Sequence, residues 1–224
     1  MANPPELETR RLADFQAFLL SRLPPSPARV LEVGCGCGDL ARALAGAGYS
    51  ITAIDPEAPE GAIFRRTRLE DFASTENVDA VVASISLHHV DDLRFALDKI
   101  VSLLADRGLL ILEEFAKERF AGATARWYYH QRQALAAVGL DDRPVGEDRA
   151  EWQRRWAQEH ADIHSYASMR RELDRRFTTR FFSWTPYLYS YWLDDALEPL
   201  ERKLIETRAV EATGFRYVGE RLAS

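Results

Sequence analysis

The feature of this sequence that most restricts its fold is a short apolar segment that runs directly into a glycine-rich loop. Residues 29–33 have the pattern of a strand, glycines follow at positions 34, 36 and 38, and a helix is predicted from about residue 39 to residue 47. In open α/β sheets, ligands bind beyond the carboxyl ends of the strands, and the loop after the first strand lies there. Glycines let the backbone approach a ligand closely, and the helix behind them offers free amides. The sequence therefore predicts a ligand site on this loop.

Strand and helix patterns alternate from residue 28 to residue 114, and this order predicts a parallel sheet joined by right-handed crossovers. The segment 78–84 is apolar and β-branched, which suits a strand buried on both faces. The segment 91–104 carries its apolar residues on one side of a helix. Further strands are predicted at 50–54, 62–66 and 108–113, and an N-terminal helix is predicted at 7–23. The predicted fold class is therefore α/β.

The second half of the chain has a different composition. Residues 118–176 lack a strong strand pattern and are rich in Arg, Glu, Trp and Tyr, so they are predicted to be a helical cap inserted between sheet elements. A strand at 177–184, a long helix at 193–212 and a final strand at 215–222 are predicted after it. We expect one domain, 1–224, because 224 residues suit a single domain with an insertion better than two domains.

Composition and charge limit the kinds of partner and the cellular compartment that we expect for this protein. The formal charge is −6 at pH 7, and an acidic surface repels phosphate backbones, so no nucleic acid partner is expected. No apolar run approaches the roughly 20 residues that span a bilayer, so no membrane is expected. The first residues lack the layout of a secretory signal. Cys35 and Cys37 lie in one loop, and no second Cys/His pair at zinc spacing accompanies them, which predicts reduced thiols, no metal site and a cytoplasmic protein.

The spacing of the glycines separates two kinds of cofactor. A dinucleotide fingerprint is Gly-x-Gly-x-x-Gly, in which the third glycine comes three residues after the second. Here Gly34, Gly36 and Gly38 are evenly spaced by two, so that fingerprint fails at its third glycine. Glu32 stands two positions before the first glycine, where a pyrophosphate has no use for a carboxylate but a cationic ligand does. The loop therefore favours a cationic cofactor over a dinucleotide.

The segment 30–38 resembles the first motif of the class I S-adenosylmethionine-dependent methyltransferases, in particular the type 11-like methyltransferase domain. Asp55 closes the second strand, like the acidic residue that holds both ribose hydroxyls in that family. The segment 68–71 resembles the one that flanks the adenine. The family often has Asp where Arg68 stands, so Leu69 or Glu70 is expected to replace that contact. The segments 81–90, 108–112 and 214–215 resemble, in turn, the fourth-strand motif, the fifth strand and the turn into the last strand.

This resemblance implies a Rossmann-like, doubly wound and mostly parallel seven-stranded sheet with helices on both faces and the helical cap. It implies S-adenosyl-L-methionine as the cofactor and S-adenosyl-L-homocysteine as the product. The expected reaction is methyl transfer to a small-molecule acceptor, on oxygen or nitrogen in preference to carbon. The residues expected to bind the cofactor are Glu32, Gly34, Cys35, Gly36, Gly38, Asp55, Pro56, Leu69, Glu70, Ser84 and Ile85.

Methyl transfer requires an aligned nucleophile and, for many acceptors, a group that removes its proton. His88 and His89 follow the fourth strand, and either suits the role of general base, because an imidazole titrates near neutral pH. The alternative is that this pair only shapes the cofactor pocket. Tyr128 and His130 in the cap are further catalytic candidates. Candidate substrate-binding residues are Glu114, Trp127 and Tyr129.

Several alternatives stay open at this point. The cap aromatics either join the cap to the sheet or line a pocket for a flat or apolar molecule. His160 and His164, four residues apart, are either a metal pair or part of a cap helix, and the second is favoured. Arg10 and Arg11 either reach the cofactor carboxylate or are surface charges, and again the second is favoured. A protein of the same fold that binds the cofactor for other chemistry, or as a sensor, keeps the same loop.

Overall fold

The computed structural model describes residues 9–141, 143, 145–146, 148–191 and 193–222. Within these residues, seven strands form one sheet in the order β3-β2-β1-β4-β5-β7-β6. Strands β1 to β5 run parallel, and β7 is antiparallel to both of its neighbours, β5 and β6. The predicted mostly parallel, Rossmann-like sheet is thus confirmed. The strands are β1 (Arg29–Val33), β2 (Ser50–Asp55), β3 (Phe64–Arg66), β4 (Val78–Ser84), β5 (Leu104–Phe115), β6 (Phe177–Thr185) and β7 (Gly214–Arg221).

Helices cover both faces of the sheet, as predicted. The described helices are α1 (Thr9–Leu20), α2 (Asp39–Gly46), α3 (Leu93–Leu103), α4 (Gly122–Ala137), α5 (Arg149–Glu159), α6 (Tyr166–Asp174) and α7 (Glu198–Glu206). Helices α1 and α2 share one apolar cluster with β1 and β4, in which Phe15 and Leu44 are fully buried. Helices α3 and α6 share a second cluster on the opposite face, around Leu97 and Ile100. The sheet is therefore the middle of three layers.

Helix α3 shows how the sequence forms and orients these elements. Asp92 caps its first turn, because the side-chain carboxylate accepts hydrogen bonds from the amides of Arg94 and Phe95. Its buried residues recur at spacings of three and four, so one stripe faces the sheet and the rest of the helix meets solvent. These buried residues are Leu93, Ala96, Leu97, Ile100 and Leu103.

The predicted insertion 118–176 contributes to two different layers. Helices α4 and α5 belong to a third apolar cluster, which includes Tyr128 and Trp152 and meets the sheet at Phe115, the last residue of β5. Helix α6 instead packs beside α3 on the sheet, where Met169 and Leu173 are buried. The part of the insertion that forms a separate cluster is thus the α4–α5 pair. The extent of the cap and the single domain remain predictions.

The predicted long helix at 193–212 is wrong. The structure has a short 3-10 turn at Asp195–Leu197, followed by α7, which ends at Glu206. The Asp194 side chain caps the 3-10 turn, and Pro199 starts the new helix, since proline needs no amide partner in a first turn. Arg208 adopts a left-handed φ of 60°, a conformation that ends a helix. The predicted N-terminal helix is α1, and its residues 7 and 8 lie outside the described residues.

Candidate active site

The glycine-rich loop joins β1 to α2 at the carboxyl end of the sheet. Gly34, Gly36 and Gly38 all have positive φ, at 76°, 50° and 83°. A side chain at Gly34 would collide with Ser86, and one at Gly38 would collide with the ring of Phe64. At Gly36, an added Cβ would meet no protein atom within 4 Å. Two of the glycines thus serve packing, and the third leaves an open surface on which a ligand fits.

Asp55, the last residue of β2, stabilises this loop by hydrogen bonding. Its carboxylate accepts one hydrogen bond from the amide of Gly36, at 3.1 Å, and one from the amide of Glu57, at 2.8 Å. The side chain is half-buried, and Pro56 beside it is exposed. A carboxylate accepts about four hydrogen bonds, so these two leave capacity for ligand hydroxyls.

Glu32, near the carboxyl end of β1, is a buried carboxyl group with one oxygen that no described residue pairs. Only 3% of the residue is exposed, and its Oε2 atom has no hydrogen bond in the described part of the chain. Burial raises the pKa of Glu32 to about 8, and the nearby carboxylates of Asp55 and Asp39 add to the effect. A buried carboxyl group that no described basic side chain pairs is suited to bind a cationic ligand, because the cation stabilises the charged carboxylate.

The remaining loop candidates differ in their surroundings. Cys35 is buried and its thiol pKa is raised to about 12 by burial, so the thiol stays neutral. Leu69 is buried in the core on the α3 face, and Glu70 beside it is half-buried. The guanidinium of Arg68 binds the carboxylate of Asp91 at 2.6 Å, at an exposed position.

The chain leaves β4 through a strained residue. Ile85 has a φ of 52°, which is costly for a β-branched side chain, and it packs against the apolar cluster of the α4–α5 pair. Its amide donates to the carbonyl of Glu113 at 2.8 Å. The Ser84 hydroxyl, at the end of β4, accepts a hydrogen bond from Arg11 at 2.9 Å. Strain at the carboxyl end of a central strand is common at functional sites.

His88 and Glu114 form a buried dyad directly after β4 and at the end of β5. The Nδ1 atom of His88 lies 2.6 Å from Oε2 of Glu114, and the other carboxylate oxygen accepts hydrogen bonds from the amides of Ser86 and Leu87. Burial alone would raise the pKa of Glu114, but His88 and these two amides hold it below its usual value. Within the described residues, the Nε2 atom of His88 has no hydrogen-bond partner. A fixed imidazole with one available nitrogen is the geometry of a general base.

His89 has a different environment from its neighbour. Its ring centroid lies 4.1 Å from that of His88, and the residue is partly exposed. Partial desolvation lowers the pKa of His89 to about 4, and the neighbouring His88 contributes to the shift. His89 is therefore neutral at physiological pH, but no described carboxylate orients its ring.

Arg11 was expected to be a surface charge, and this expectation is wrong. The residue is only 7% exposed, and its Nη1 atom donates to Oε2 of Glu113 at 2.7 Å as well as to Ser84. The other oxygen of Glu113 binds Arg216 at 2.9 Å. Arg11, Phe15 and Leu19 recur every four residues on α1, so helical spacing already placed Arg11 on the buried face. Arg10 is exposed and pairs with Glu198 on α7.

The hydroxyls of the two cap tyrosines bind backbone carbonyls, one beyond the cap and one within it. Tyr128 is buried and donates its hydroxyl to the carbonyl of Tyr191 at 2.6 Å, and Tyr129 is buried and donates to the carbonyl of Gly146 at 2.9 Å. Trp127 is half-buried against the same cluster, and His130 is exposed. No hydrogen bond or ring contact between described residues joins these four to His88.

His160 and His164 do not form a pair. The Nδ1 atom of His160 contacts the carbonyl of Trp156 at 2.8 Å, and the Nε2 atom of His164 contacts the carbonyl of Val90 at 2.8 Å. In the described ranges, no group of three or more His, Cys, Asp or Glu side chains is placed to hold a metal ion. No helix in those ranges is long and apolar enough to cross a membrane.

Comparison with known proteins identifies the class to which this fold and loop belong. A family model described as a methyltransferase domain matches residues 6–179, so the chain belongs to the methyltransferase domain family. This confirms the class I S-adenosylmethionine-dependent methyltransferases as its family and S-adenosyl-L-methionine as its cofactor. The open surface at Gly36, the carboxylate of Asp55 and the uncompensated Glu32 fit that cofactor.

Among curated relatives, an uncharacterized methyltransferase of Mycobacterium tuberculosis is 33% identical over 116 residues, covering 45% of this chain and 57% of the relative. A ubiquinone biosynthesis O-methyltransferase of Xanthomonas axonopodis pv. citri is 34% identical over 123 residues, covering 48% of this chain and 52% of the relative. The chain thus spans little more than half the length of the curated relatives that it matches.

Solved structures show the same fold at low identity. The N-methyltransferase NodS from Bradyrhizobium japonicum WM9, in complex with S-adenosyl-L-homocysteine, has a TM-score of 0.57 at 16% identity and covers 99% of this chain and 89% of its own. An S-adenosylmethionine-dependent methyltransferase from Listeria monocytogenes has a TM-score of 0.60 at 15% identity, with 95% and 99% of the two chains covered.

Proposed function

We propose that this protein transfers a methyl group from S-adenosyl-L-methionine to an oxygen or nitrogen atom of a small-molecule acceptor. The observation that carries this proposal is the His88–Glu114 dyad, in which a buried carboxylate holds one imidazole nitrogen and leaves the other available. Hydroxyl and ammonium acceptors must lose a proton on methyl transfer, and an imidazole fixed in this way is suited to take that proton. Two proteins to which the chain is similar, the ubiquinone biosynthesis O-methyltransferase and the N-methyltransferase NodS, are named for transfers of this kind.

The cofactor supplies, when bound, a methyl group on a positively charged sulfur. We assign Asp55 to the ribose hydroxyls, because its carboxylate keeps acceptor capacity beside the open Gly36. Leu69 and Glu70 are assigned to the adenine, and Ser84 and Ile85 to the side of the site nearest β4. Gly34, Cys35 and Gly38 shape the loop itself.

His88 is assigned as the general base. Its Nε2 atom takes the acceptor proton while Nδ1–H donates to Glu114, whose negative charge stabilises the imidazolium that forms. Glu114 is thereby reassigned from substrate binding to positioning, because protein donors occupy both of its oxygens. His89 remains the second candidate base.

The cap candidates are reassigned in the same way. The Tyr128 hydroxyl donates to the carbonyl of Tyr191, beyond the cap, and the Tyr129 hydroxyl donates to Gly146 within it. Because both rings share an apolar cluster with Phe115 of β5, we propose that they join the cap to the sheet. Trp127 is half-buried and stays a candidate for contact with the acceptor, and exposed His130 is not assigned to catalysis.

The proposal is tested by two measurements on the full chain. Calorimetry with S-adenosyl-L-homocysteine measures cofactor binding, and Asp55→Asn should weaken it by about 1–3 kcal/mol through lost partners for the ligand hydroxyls. Glu57→Gln is the matched control, because its side chain is exposed and Asp55 contacts only its backbone. Isotope-labelled S-adenosyl-L-methionine is then offered with a panel of phenols, catechols and primary amines.

Methyl transfer to a panel member that depends on His88 supports the proposal. Absence of cofactor binding overturns it. Binding without transfer to any oxygen or nitrogen acceptor favours the alternative, a protein that uses the cofactor for other chemistry or as a sensor.

A further inference from the structure

Glu32 is a buried carboxyl group whose hydrogen-bonding capacity the described protein residues leave unused. It lies in β1 between Ala53 of β2 and Val82 of β4, and both neighbours are fully buried. No described residue donates a hydrogen bond to its Oε2 atom. An ionised carboxylate without donors is expensive in such a place, so the group takes up a proton instead.

Acidic groups surround Glu32 on the elements packed against it. Asp55 ends the neighbouring strand β2, Asp39 begins α2, and the buried thiol of Cys35 belongs to the loop between β1 and α2. Each negative charge among these groups opposes a further charge on Glu32. Together with burial, the two aspartates raise the pKa of Glu32 to about 8.

The basic groups of the same face have other partners. Arg11 of α1 binds Glu113 at 2.7 Å, and Arg42 of α2 binds Asp39 at 3.0 Å. None of the described arginines or lysines forms an ion pair with Glu32. The described residues therefore leave one acid at the cofactor loop without a counter-ion, and the cofactor carries an ammonium and a sulfonium.

We propose that Glu32 holds a proton in the free protein and releases it when the ammonium group of the cofactor binds, so that cofactor binding is coupled to the loss of one proton. On binding, the O–H bond of the carboxylic acid breaks, the proton passes to the buffer, and the carboxylate accepts a hydrogen bond from the ammonium. The ammonium, and not the sulfonium, is the partner because only the ammonium has N–H donors for the orphaned oxygen. This inference rests on the proposed function, since it takes the glycine-rich loop as the cofactor site.

The coupling is measured by calorimetry of the full chain with S-adenosyl-L-homocysteine, which carries the ammonium but no sulfonium. Titrations at pH 6.5 in two buffers of different ionisation enthalpy report the number of protons released per ligand. We expect about one proton, and an affinity that rises about tenfold per pH unit from pH 6 to pH 8 and levels off above.

Two controls isolate Glu32 from other groups. Glu32→Gln mimics the protonated acid, so it is expected to fold, to bind the ligand without proton release and to show an affinity independent of pH. Glu57→Gln changes a nearby exposed carboxylate and should keep the full release. In the unmodified protein, 5′-methylthioadenosine has the nucleoside and thioether but no ammonium, so it should bind without releasing a proton.

The outcomes separate this inference from the proposed function. Binding of S-adenosyl-L-homocysteine without proton release overturns the coupling but leaves the cofactor site intact. Release that persists in Glu32→Gln, or that also accompanies 5′-methylthioadenosine, assigns the proton to another group and likewise overturns it. Failure of the unmodified protein to bind S-adenosyl-L-homocysteine overturns the proposed function itself. If Glu32→Gln does not fold, the comparison of the two ligands on the unmodified protein decides.

Discussion

The Nδ1 atom of His88 lies 2.6 Å from Oε2 of Glu114, a residue 26 positions away in the chain. Glu114 is fully buried, and the backbone amides of Ser86 and Leu87 donate to its other oxygen. One carboxylate therefore fixes both the ring of His88 and the turn that carries it. The hydrogen bonds of Glu114 therefore tie the turn after β4 to the end of β5. The proposed reaction depends on this link, because it holds the ring of His88 in place.

His88→Asn tests the general base directly. The Asn amide is able to donate to Glu114 but has no counterpart of Nε2, so the dyad stays paired while the base is lost. We expect methyl transfer to fall by about 10²–10⁴-fold, the range that general-base catalysis contributes. The binding of S-adenosyl-L-homocysteine should change little, which calorimetry checks.

His89→Asn is the matched control for that variant, since His89 is adjacent but not paired with Glu114. It should retain most of the transfer rate. If His89→Asn loses activity and His88→Asn keeps it, the base has been assigned to the wrong imidazole.

Gly36→Ala and Gly38→Ala test which glycine leaves room for the ligand and which one is needed for packing. A Cβ at Gly36 meets no protein atom within 4 Å, whereas one at Gly38 overlaps the ring of Phe64. Both residues have positive φ, so both variants carry a similar backbone cost of about 1 kcal/mol. We expect Gly38→Ala to lower the melting temperature more than Gly36→Ala does. We expect Gly36→Ala to lose more affinity for the cofactor, for a given loss of stability, than Gly38→Ala does. Equal affinity of Gly36→Ala and the unmodified protein would show that the ligand does not approach Gly36.

Arg11→Ala tests the buried ion pair beneath the site. Without Arg11, the buried carboxylate of Glu113 keeps only Arg216, so we expect a loss of about 2–3 kcal/mol in the free energy of unfolding, somewhat less than for a pair broken completely. Arg10→Ala removes an exposed pair with Glu198 and should cost less than about 1 kcal/mol. Urea denaturation measures both values, and similar losses in the two variants would contradict the difference in burial.

The contribution of Glu32 to the stability of the free protein should fall between about pH 4.5 and pH 8. The net stability should fall above about pH 6.5, because below that pH the lowered pKa of His89 makes stability rise with pH and opposes the slope from Glu32. The pKa of Glu32 is near 8 in the folded state against an ordinary value of 4.5, so within this window the unfolded chain releases a proton that the folded protein keeps. The contribution of Glu32 is complete below pH 4.5 and declines by on the order of 1 kcal/mol per pH unit as the pH rises. Chemical denaturation at a series of pH values measures this slope. Glu32→Gln should remove most of it, and an identical slope in that variant would exclude Glu32 as the source.

The strands and the cofactor loop were predictable because their signals are local. The runs at 29–33 and 78–84 are mostly apolar and have the length of a strand, and the structure forms β1 and β4 over those residues. The order of strands and helices limited the topology to a mostly parallel sheet. The glycine spacing, with Glu32 before it, then indicated the kind of cofactor.

The misassigned residues are those whose roles depend on distant partners. Arg11 contacts Glu113 across 102 positions of the chain, and no spacing rule for charges relates residues so far apart. The helix predicted at 193–212 failed for a local reason instead, because capping by Asp194 and the left-handed Arg208 override helical propensity.

By itself, the sequence determined the α/β fold and the position of the cofactor loop, because these follow from the periodicity and spacing of nearby residues, and the resemblance of its motifs indicated the family. Only the tertiary structure decided that His88 is held by Glu114, that Arg11 binds Glu113, and that Glu32 has no counter-ion among the described residues. Burial and hydrogen bonding depend on which strands become neighbours. The burial and the hydrogen bonds of these side chains are therefore set only when the sheet assembles.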